Sequence, residues 1–293
     1  MLRVVPESVI RRQLLERGEA DAATYNMTPE DVEALRGNAE IQVVTYDSTR
    51  VRWTIMNAAK LRTREVRQGF SYAFPYDEVL NGVFNGLLKR TGPIPTTVRG
   101  YDPNVFLYQT DLARAKELIL SGGFQEGDSV EYVVDASNEP GRIVAQLFQA
   151  NLQAIGFDLR ITALDGAAIE AIVFAGVPVD EVPDFITWAW WPDYNDPWSH
   201  LGPSFLASGI ANPGDWVNER FEQIMAEAEH YTDENRLAEL MVEAQSILSE
   251  QDPPVIYFGQ VQYYTILDAA IQGYQPNPFY LESYPFYQMS RVV

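Results

Sequence analysis

An alternation of strand-like and helix-like segments in the middle of the chain constrains the fold more than any other feature. The pattern runs strand, helix, strand, helix, strand over Glu131–Asp135, Gly141–Ile155, Phe157–Ala163, Ala167–Phe174 and Phe185–Trp190. This order and spacing are typical of a doubly wound sheet whose connecting helices cover both faces. The sequence therefore predicts an α/β fold with a mostly parallel sheet flanked by helices.

Segments outside this alternation predict further strands and helices. Residues with high β propensity predict four separate strands, at Ile41–Tyr46, Val51–Met56, Val255–Gly259 and Gln262–Leu267. Pro75 can begin a helix that reaches Phe84, and apolar residues at helical spacing predict two amphipathic helices over 217–228 and 237–248. Three prolines in Arg90–Pro103 predict a long surface loop.

Composition excludes several classes of protein. Asp and Glu number 41 against 21 Lys and Arg, so the formal net charge is −20, which opposes binding to nucleic acids and to anionic lipid. The chain contains no cysteine, so disulfides, zinc–thiolate sites, iron–sulfur clusters and thiol nucleophiles are excluded. A hydrophobic fraction of 46% supports a packed core, and no apolar run approaches the roughly 20 residues that cross a bilayer.

Motifs of catalysis and of cofactor binding are missing from the sequence. It holds no P-loop, no G-x-G-x-x-G fingerprint and no G-x-S-x-G nucleophile elbow. Its two histidines, His200 and His230, are not spaced to hold zinc, and His230 ends a predicted amphipathic helix, where a surface position is expected. We therefore expect no catalytic residues, no metal site and no cofactor.

The segment Phe185–Ser199 contains the strongest signal for ligand binding. It interleaves Asp193, Asn195 and Asp196 with five large aromatic residues, which are Trp188, Trp190, Trp191, Tyr194 and Trp198. The segment covers the last strand of the alternation and the residues after it, and in open α/β sheets ligands bind in the crevice beyond the carboxyl ends of the strands. A carboxylate flanked by aromatic rings can hold a cation or a hydrogen-bonding solute there.

Other interpretations of the same segment stay open. The tryptophans can fill the core while Asp193 and Asp196 act as turn or cap residues. We favour the cap for Asp196, because an Asp-Pro pair readily opens a helix, and ligand binding for Asp193. The run Asp193–Asp196 lacks the spacing and the later Glu of a calcium loop, and a glycosidase needs a second carboxylate at a suitable distance.

Four segments occur in an order that is specific in combination. They are Arg67–Ala73 (RQGFSYA) with Gly86 after it, Asp111–Phe124 (DLARAKELILSGGF), Trp191–Pro197 (WPDYNDP) and Asp233–Tyr257 (DENRLAELMVEAQSILSEQDPPVIY). These segments resemble motifs of the extracytoplasmic solute-binding proteins of ABC transporters, in the dipeptide/oligopeptide-binding family known as family 5. The chain is identified as a member of this family over nearly its whole length.

This resemblance implies a fold and a division into domains. Members have a two-lobed, periplasmic-binding-protein-like fold of class II and are typically longer than this chain, with a leader and a first lobe ahead of the point that corresponds to Met1. The resemblance therefore predicts one ligand-binding lobe over 57–267. Residues 1–56 would be the remnant of the first lobe with its hinge strands, and 268–293 would return to that lobe.

The resemblance also implies a function. Members capture peptides and deliver them to the permease of an ABC transporter without catalysis, so the full-length protein is expected to be a monomer that lies in the periplasm or is associated with the extracytoplasmic side of a membrane. The first 21 residues of this chain are charged throughout and have no apolar core, so no signal peptide is expected within them. The alternatives are an oligosaccharide-binding member of the same family and a glycoside hydrolase that uses Asp193.

Residue roles follow from the resemblance in the same way. In peptide-binding members the Asp of the "DY-DP" segment pairs with the α-amino group of the ligand, and Asp193 occupies that position here. The other expected ligand-binding residues are Trp188, Trp190, Trp191, Tyr194 and Asn195. The residue that would bind a ligand carboxylate is not identified, because 177–206 contains no Lys or Arg.

Overall fold

The computed structural model describes residues 3–5, 7–24, 27–280 and 283–292, and the chain divides into two compact units. The smaller unit combines Met1–Ser48 with Gln262–Val293, and the larger unit is Thr49–Val261. Two long strands, Ile41–Met56 and Val255–Asp268, contain residues of both units, because the units meet in the chain after Ser48 and after Val261. The larger unit begins and ends a few residues earlier than the lobe that the sequence predicts at 57–267.

Helices and strands alternate along most of the described chain. The helices are α1 (Ser8–Glu16), α2 (Pro29–Arg36), α3 (Arg64–Ala73), α4 (Leu112–Ser121), α5 (Glu139–Ala154), α6 (Gly166–Phe174), α7 (Pro197–Phe205), α8 (Glu219–Glu229) and α9 (Glu234–Ser246). The strands are β1 (Ala22–Thr24), β2 (Ile41–Met56), β3 (Leu88–Lys89), β4 (Ser129–Asp135), β5 (Asp158–Leu164), β6 (Phe185–Trp190), β7 (Val255–Asp268), β8 (Ile271–Gln272) and β9 (Ser290–Arg291). Within the described residues, no helix combines the length and the apolar character that crossing a bilayer requires.

The sheet of the larger unit is mixed. Its strands are ordered β7–β2–β6–β4–β5, and β3 pairs with β7. The pairs β4–β5 and β4–β6 are parallel, whereas β2–β6 and β3–β7 are antiparallel. The predicted alternation of strands and helices over 131–190 is therefore confirmed, and its parallel strands form the β6–β4–β5 side of the sheet.

Helices cover both faces of this sheet. Phe185 of β6 packs against Phe148 of α5, with 5.6 Å between the ring centroids. Trp188 of the same strand packs against Phe174 of α6, with 5.4 Å between the ring centroids. Successive residues of a strand point to opposite faces, so residues 185 and 188 lie on opposite faces. The helices α5 and α6 therefore cover opposite faces, as in a doubly wound fold.

A buried cluster of three hydroxyl groups joins the central strands. The Tyr132 hydroxyl on β4 lies 2.5 Å from Thr54 Oγ1 on β2 and 2.8 Å from Thr187 Oγ1 on β6. Burial raises the pKa of Tyr132 to about 12, so the hydroxyl stays protonated. Because a buried hydroxyl without a partner costs free energy, this cluster favours one register of the three strands over its alternatives.

The prediction of four separate strands on the two sides of the alternation is wrong. Residues Ile41–Met56 form the single strand β2, and Val255–Asp268 form the single strand β7. The stretch 47–50 contains neither glycine nor proline, so nothing forces the chain to turn there. Gly259 has a φ of 153° and no side chain, which lets the backbone of Lys89 in β3 approach β7 closely.

The segment predicted as a helix from Pro75 to Phe84 has a different geometry. Glu78–Val83 forms a π-helical turn, and the Phe84 N–H donates to Val79 O, five residues earlier, at 3.0 Å. Gly82 lies within this turn and lowers the α-helical propensity of the segment. A second π-helical turn, Ile247–Gln251, extends α9.

The predicted loop Arg90–Pro103 contains no helix or strand, but its first half is not on the surface. Ile94 is fully buried, and Thr91 is nearly so. The side chain of Gln260 accepts hydrogen bonds from Thr96 N at 3.1 Å and from Thr96 Oγ1 at 2.9 Å. Such side-chain acceptors satisfy backbone N–H groups of a loop that is buried away from water.

The smaller unit has its own local contacts. The strand β1 pairs antiparallel with β7, with Ala22 opposite Leu267. The Tyr264 hydroxyl accepts a hydrogen bond from Met27 N at 2.8 Å and donates to Met27 O at 2.7 Å. Thr28 caps α2, since its Oγ1 accepts from Asp31 N at 3.2 Å. The strands β8 and β9 form a separate two-stranded ribbon.

Replacing Gly259 with Ala is expected to destabilise the protein by about 2 kcal/mol, because the added Cβ collides with the Lys89 carbonyl and the backbone conformation is strained for an L-residue. Urea unfolding followed by circular dichroism measures the change in the free energy of unfolding. Gly82→Ala is the control, since nothing lies within 4 Å of the Cβ added there. Equal stability of the two variants would contradict the close approach of β3 to β7.

Candidate ligand-binding site

The candidate site follows the carboxyl end of β6. This strand lies between β2 and β4 and is parallel to β4. Residues 191–196 connect it to α7, which begins at Pro197. The antiparallel register with β2 places Val51 opposite Trp190 and Trp53 opposite Trp188. The segment therefore occupies the position at which open α/β sheets bind ligands.

Trp188 and Trp190 pack mainly against helices. Both side chains are half-buried, and they share the face of the sheet that carries Trp53. Trp188 contacts α6, and Trp190 Nε1 donates a hydrogen bond to Ser199 O in α7 at 3.3 Å. These contacts favour a role in packing for the two tryptophans, and their contact with a ligand stays a prediction.

Trp191 and Tyr194 are the exposed aromatic residues of the segment. Their exposed fractions are 42% and 54%, which is high for side chains of this size. They lie on either side of Asp193 in the chain. Exposed aromatic rings next to a carboxylate offer flat apolar surfaces on which a guest can stack while its charged group is bound.

The Asp193 side chain is exposed and its backbone is fixed. No hydrogen bond or ion pair joins its carboxylate to another residue in the part of the chain that the structure describes. Its backbone N–H donates to Ser199 Oγ at 3.1 Å. A carboxylate that is solvated and held on an anchored backbone can bind a cationic group without first breaking an ion pair within the protein.

Ser199 anchors the segment at two points. Its Oγ accepts from Asp193 N, and its carbonyl oxygen accepts from Trp190 Nε1. Ser199 itself is buried in the first turn of α7. The end of β6 and the backbone of Asp193 are therefore tied to the same residue, which limits the movement of the loop between them.

Asp196 and Asn195 complete the anchoring of the segment. Asp196 caps α7, since its Oδ1 accepts from Trp198 N at 2.8 Å, which confirms the interpretation of Asp196 as a cap. Asn195 Oδ1 accepts from Arg99 N at 3.1 Å and so connects the segment to the loop 90–103. One acceptor of Asn195 is thereby used within the protein, and a ligand contact through Asn195 stays a prediction.

His200 connects α7 to the same loop. Its side chain is fully buried, and Nε2 lies 2.7 Å from Pro93 O. Since a carbonyl only accepts, Nε2 carries the proton that is shared. Burial lowers the pKa of His200 to about 4, so the ring is neutral near pH 7. The other histidine, His230, is exposed and follows the end of α8, as the sequence predicts.

The sequence interpretation missed Arg50 of β2, which contacts the Trp191 ring of the segment, and its strand neighbour Arg52, which contacts Phe84 outside the segment. The guanidinium carbon of Arg50 lies 4.5 Å from the centroid of the Trp191 ring, and that of Arg52 lies 5.7 Å from the Phe84 ring. Both are cation–π contacts. Their i, i+2 spacing could have shown that the two arginines share one face of a strand. The predicted strand began at Val51, however, and so left out Arg50. A sequence also does not give the register of β2 on β6.

The arrangement suits reversible binding of a charged guest. It combines an exposed carboxylate, two exposed aromatic rings and an arginine that contacts one of those rings. Within the described residues, no group of three or more His, Cys, Asp or Glu side chains is placed to hold a metal ion. The site can therefore bind through ion pairs, hydrogen bonds and ring stacking.

Comparison with known proteins identifies the class as an extracellular solute-binding protein. The family model described as "Bacterial extracellular solute-binding proteins, family 5 Middle" matches residues 1–212. The chain belongs to this family, and the resemblance found in the sequence is confirmed.

Curated relatives are similar over nearly the whole chain. A probable D,D-dipeptide-binding periplasmic protein of Escherichia coli is 24% identical over 99% of this chain and 56% of the relative. A dipeptide-binding protein of Pseudomonas aeruginosa is 24% identical over 93% of this chain and 52% of the relative. Heme-binding protein A of Haemophilus influenzae is 24% identical over 95% of this chain and 51% of the relative. The chain thus spans about half the length of these relatives.

Solved structures share the fold. HbpA2 from Haemophilus parasuis aligns with a TM-score of 0.83 at 24% identity, over 100% of this chain and 58% of that one. The binding protein DppA from Helicobacter pylori, in complex with the peptide STSA, aligns with a TM-score of 0.83 at 23% identity. The alignment covers 99% of this chain and 56% of that one. These similarities confirm the predicted periplasmic-binding-protein-like α/β fold.

Stability is expected to fall as the pH decreases from about 6.5 to about 4 because of His200. In this range the unfolded chain protonates the imidazole and the native state does not, so the loss reaches about 3 kcal/mol. Urea unfolding at several pH values measures it, and His200→Gln, which keeps a donor for Pro93 O, should reduce the slope. The control is the exposed His230→Gln, which should retain the wild-type slope, and an unchanged slope in His200→Gln would contradict the assignment.

Proposed function

We propose that the protein containing this chain captures peptides outside the cytoplasm for an ABC importer and leaves them chemically unchanged. The observation that carries the proposal is the exposed Asp193 carboxylate, which is held on an anchored backbone and lies in the chain between two residues with exposed rings, Trp191 and Tyr194. Asp193 binds the α-amino group of the peptide, and the rings contact the first side chains. Membership of a solute-binding family supports binding without catalysis.

The energetics of this contact are sufficient for recognition. A charge-assisted hydrogen bond between a carboxylate and an ammonium group contributes about 1.5–3 kcal/mol, which corresponds to roughly a tenfold to hundredfold change in affinity. Pairing with the peptide main chain adds affinity that does not depend on the side chains of the guest. A binding protein of this kind accepts many short peptides that share a free amino terminus.

The transport partners follow from the family. Relatives named as periplasmic or dipeptide-binding proteins support a location outside the cytoplasm, and the solved DppA from Helicobacter pylori, which is described as ABC transporter-associated, supports delivery to the permease of an ABC transporter. The protein is proposed to act as a monomer, and ligand contacts that favour a closed state would drive hinge closure. None of the relatives described here is named as a glycoside hydrolase or an oligosaccharide-binding protein, so those alternatives are not proposed.

The first experiment identifies the guest. The protein is purified from its host without denaturation, and native mass spectrometry followed by fragmentation identifies molecules that remain bound. A co-purified peptide supports the proposal. A bound oligosaccharide that added peptide mixtures do not displace would contradict the proposal and indicate carbohydrate capture instead.

Asp193→Asn is expected to weaken binding of an identified peptide by more than tenfold, because the amide cannot pair with the α-ammonium group. Isothermal titration calorimetry measures the affinity for the peptide and for its N-acetylated form, which should bind wild type and variant equally. The matched control is Asp180→Asn, which makes the same charge change at another exposed position. Unchanged affinity in Asp193→Asn would reject Asp193 as the anchor.

A further inference from the structure

We propose that Asn85 is a site of spontaneous deamidation, at which the protein converts an asparagine of its own chain into isoaspartate or aspartate with water as the only co-reactant. Asn85 and Gly86 form an exposed turn that leads into β3, outside the segment 191–196. The inference therefore goes beyond the proposed function and does not depend on it.

Two Asn-Gly pairs in the sequence differ chiefly in their backbone conformation. They are Asn81-Gly82 and Asn85-Gly86. Both asparagines are exposed, and no hydrogen bond joins either side chain to any other described residue. A Cβ added at either glycine would meet nothing within 4 Å. The backbone around each pair therefore decides which of the two asparagines reacts.

The reaction joins the side chain of an asparagine to the backbone nitrogen that follows it. That nitrogen loses its proton and attacks the side-chain amide carbon, so a carbon–nitrogen bond forms, and the side-chain nitrogen takes up a proton and leaves as ammonia. Water then opens the five-membered imide at one of its two carbonyls, which leaves aspartate or isoaspartate, and no electron is transferred. A following glycine favours the attack, because its backbone is flexible and no side chain obstructs the approach.

Few hydrogen bonds hold the backbone of Asn85-Gly86. Asn85 has a φ of 42° and Gly86 a φ of 83°, and positive values at both central residues are typical of a type I′ turn. The turn is closed by the Leu87 N–H, which donates to Phe84 O at 2.8 Å. The attacking nitrogen of Gly86 makes only a long hydrogen bond, with 3.5 Å to Leu80 O. An exposed turn that is closed by one short hydrogen bond opens readily, and the Gly86 nitrogen is then available.

The backbone of Asn81-Gly82 is held more firmly. Both residues lie inside the π-helical turn Glu78–Val83. In such a turn backbone N–H groups donate to the carbonyl five residues earlier, as the Phe84 N–H does to Val79 O at 3.0 Å. The nitrogen of Gly82 can therefore reach the Asn81 side chain only when several of these hydrogen bonds break together. Two identical dipeptides four residues apart thus receive different protection from the fold.

The products would alter both the turn and the surface charge. Isoaspartate routes the main chain through its side-chain methylene group, which lengthens the backbone by one carbon in the turn that precedes Leu88–Lys89 of β3. Either product also adds one negative charge to a chain whose formal net charge is −20. Ion-exchange chromatography can therefore separate modified molecules from unmodified ones.

The test follows both asparagines in the same folded protein. The full chain is incubated for several days at mildly alkaline pH in water enriched in oxygen-18, and peptide mapping by mass spectrometry measures the conversion at each position. Fragmentation by electron transfer distinguishes isoaspartate from aspartate. Asn85 is expected to react at least tenfold faster than Asn81, with isoaspartate among its products and the oxygen-18 label in them.

Unfolding the protein in guanidinium chloride is the control for the role of the fold. It removes both turns, so the two asparagines are expected to react at similar rates. Asn85→Gln is expected to abolish the acidic species that ion exchange resolves, whereas the matched Asn81→Gln should retain them, and melting temperatures show whether each variant is folded.

Three outcomes would overturn the inference. The first is a folded protein in which Asn81 reacts as fast as Asn85, and the second is a folded protein in which Asn85 does not react at all. The third is a preference for Asn85 that persists in full after unfolding, since the neighbouring sequence rather than the turn would then select the site. None of these outcomes bears on peptide capture, so the proposed function is tested separately.

Discussion

The antiparallel register of β2 on β6 determines which side chains meet at the candidate site. With Val51 opposite Trp190, the tryptophans at 188 and 190 share a face with Trp53 and pack against helices, and Arg50 is left next to Trp191. A shift by one residue would exchange the two faces and bury the arginines of β2 among the aromatic rings. The hydroxyl cluster of Thr54, Tyr132 and Thr187 opposes such a shift, because it is satisfied in only one register.

Local patterns were sufficient to predict the central part of the fold. Over 131–190 each strand or helix is bounded by residues that favour its ends, and the structure has the same alternation. The long strands β2 and β7 could not be recovered as single elements, because their continuity depends on pairing with strands that are distant in sequence. Gly259 was predicted to end a strand for the same reason. Its role is to let the Lys89 backbone approach β7, and this depends on a contact with a residue that is distant in sequence.

The exposure of the proposed anchor was predictable from the sequence, whereas its surroundings were not. Asp193, Trp191 and Tyr194 lie on the surface, as a ligand-binding segment requires, and Asp196 is a helix cap. Asp196 is a cap and Asp193 is not, because only Asp196 precedes a proline that starts a helix, and this signal is local. Arg50 is more than a hundred residues from Trp191 in the chain, so its presence at the site depends on sheet register, which one sequence does not contain.

The double anchorage of the segment by Ser199 has a consequence for how such proteins diversify. The frame is held by a backbone N–H, an indole N–H and a helix cap, none of which uses the side chains that face solvent at 191, 193 and 194. Substitutions at those three positions would leave these contacts of the scaffold intact. The similar proteins named for dipeptides and for heme differ in cargo by name, and a rigid frame with independently variable solvent-facing positions offers a physical route to such differences.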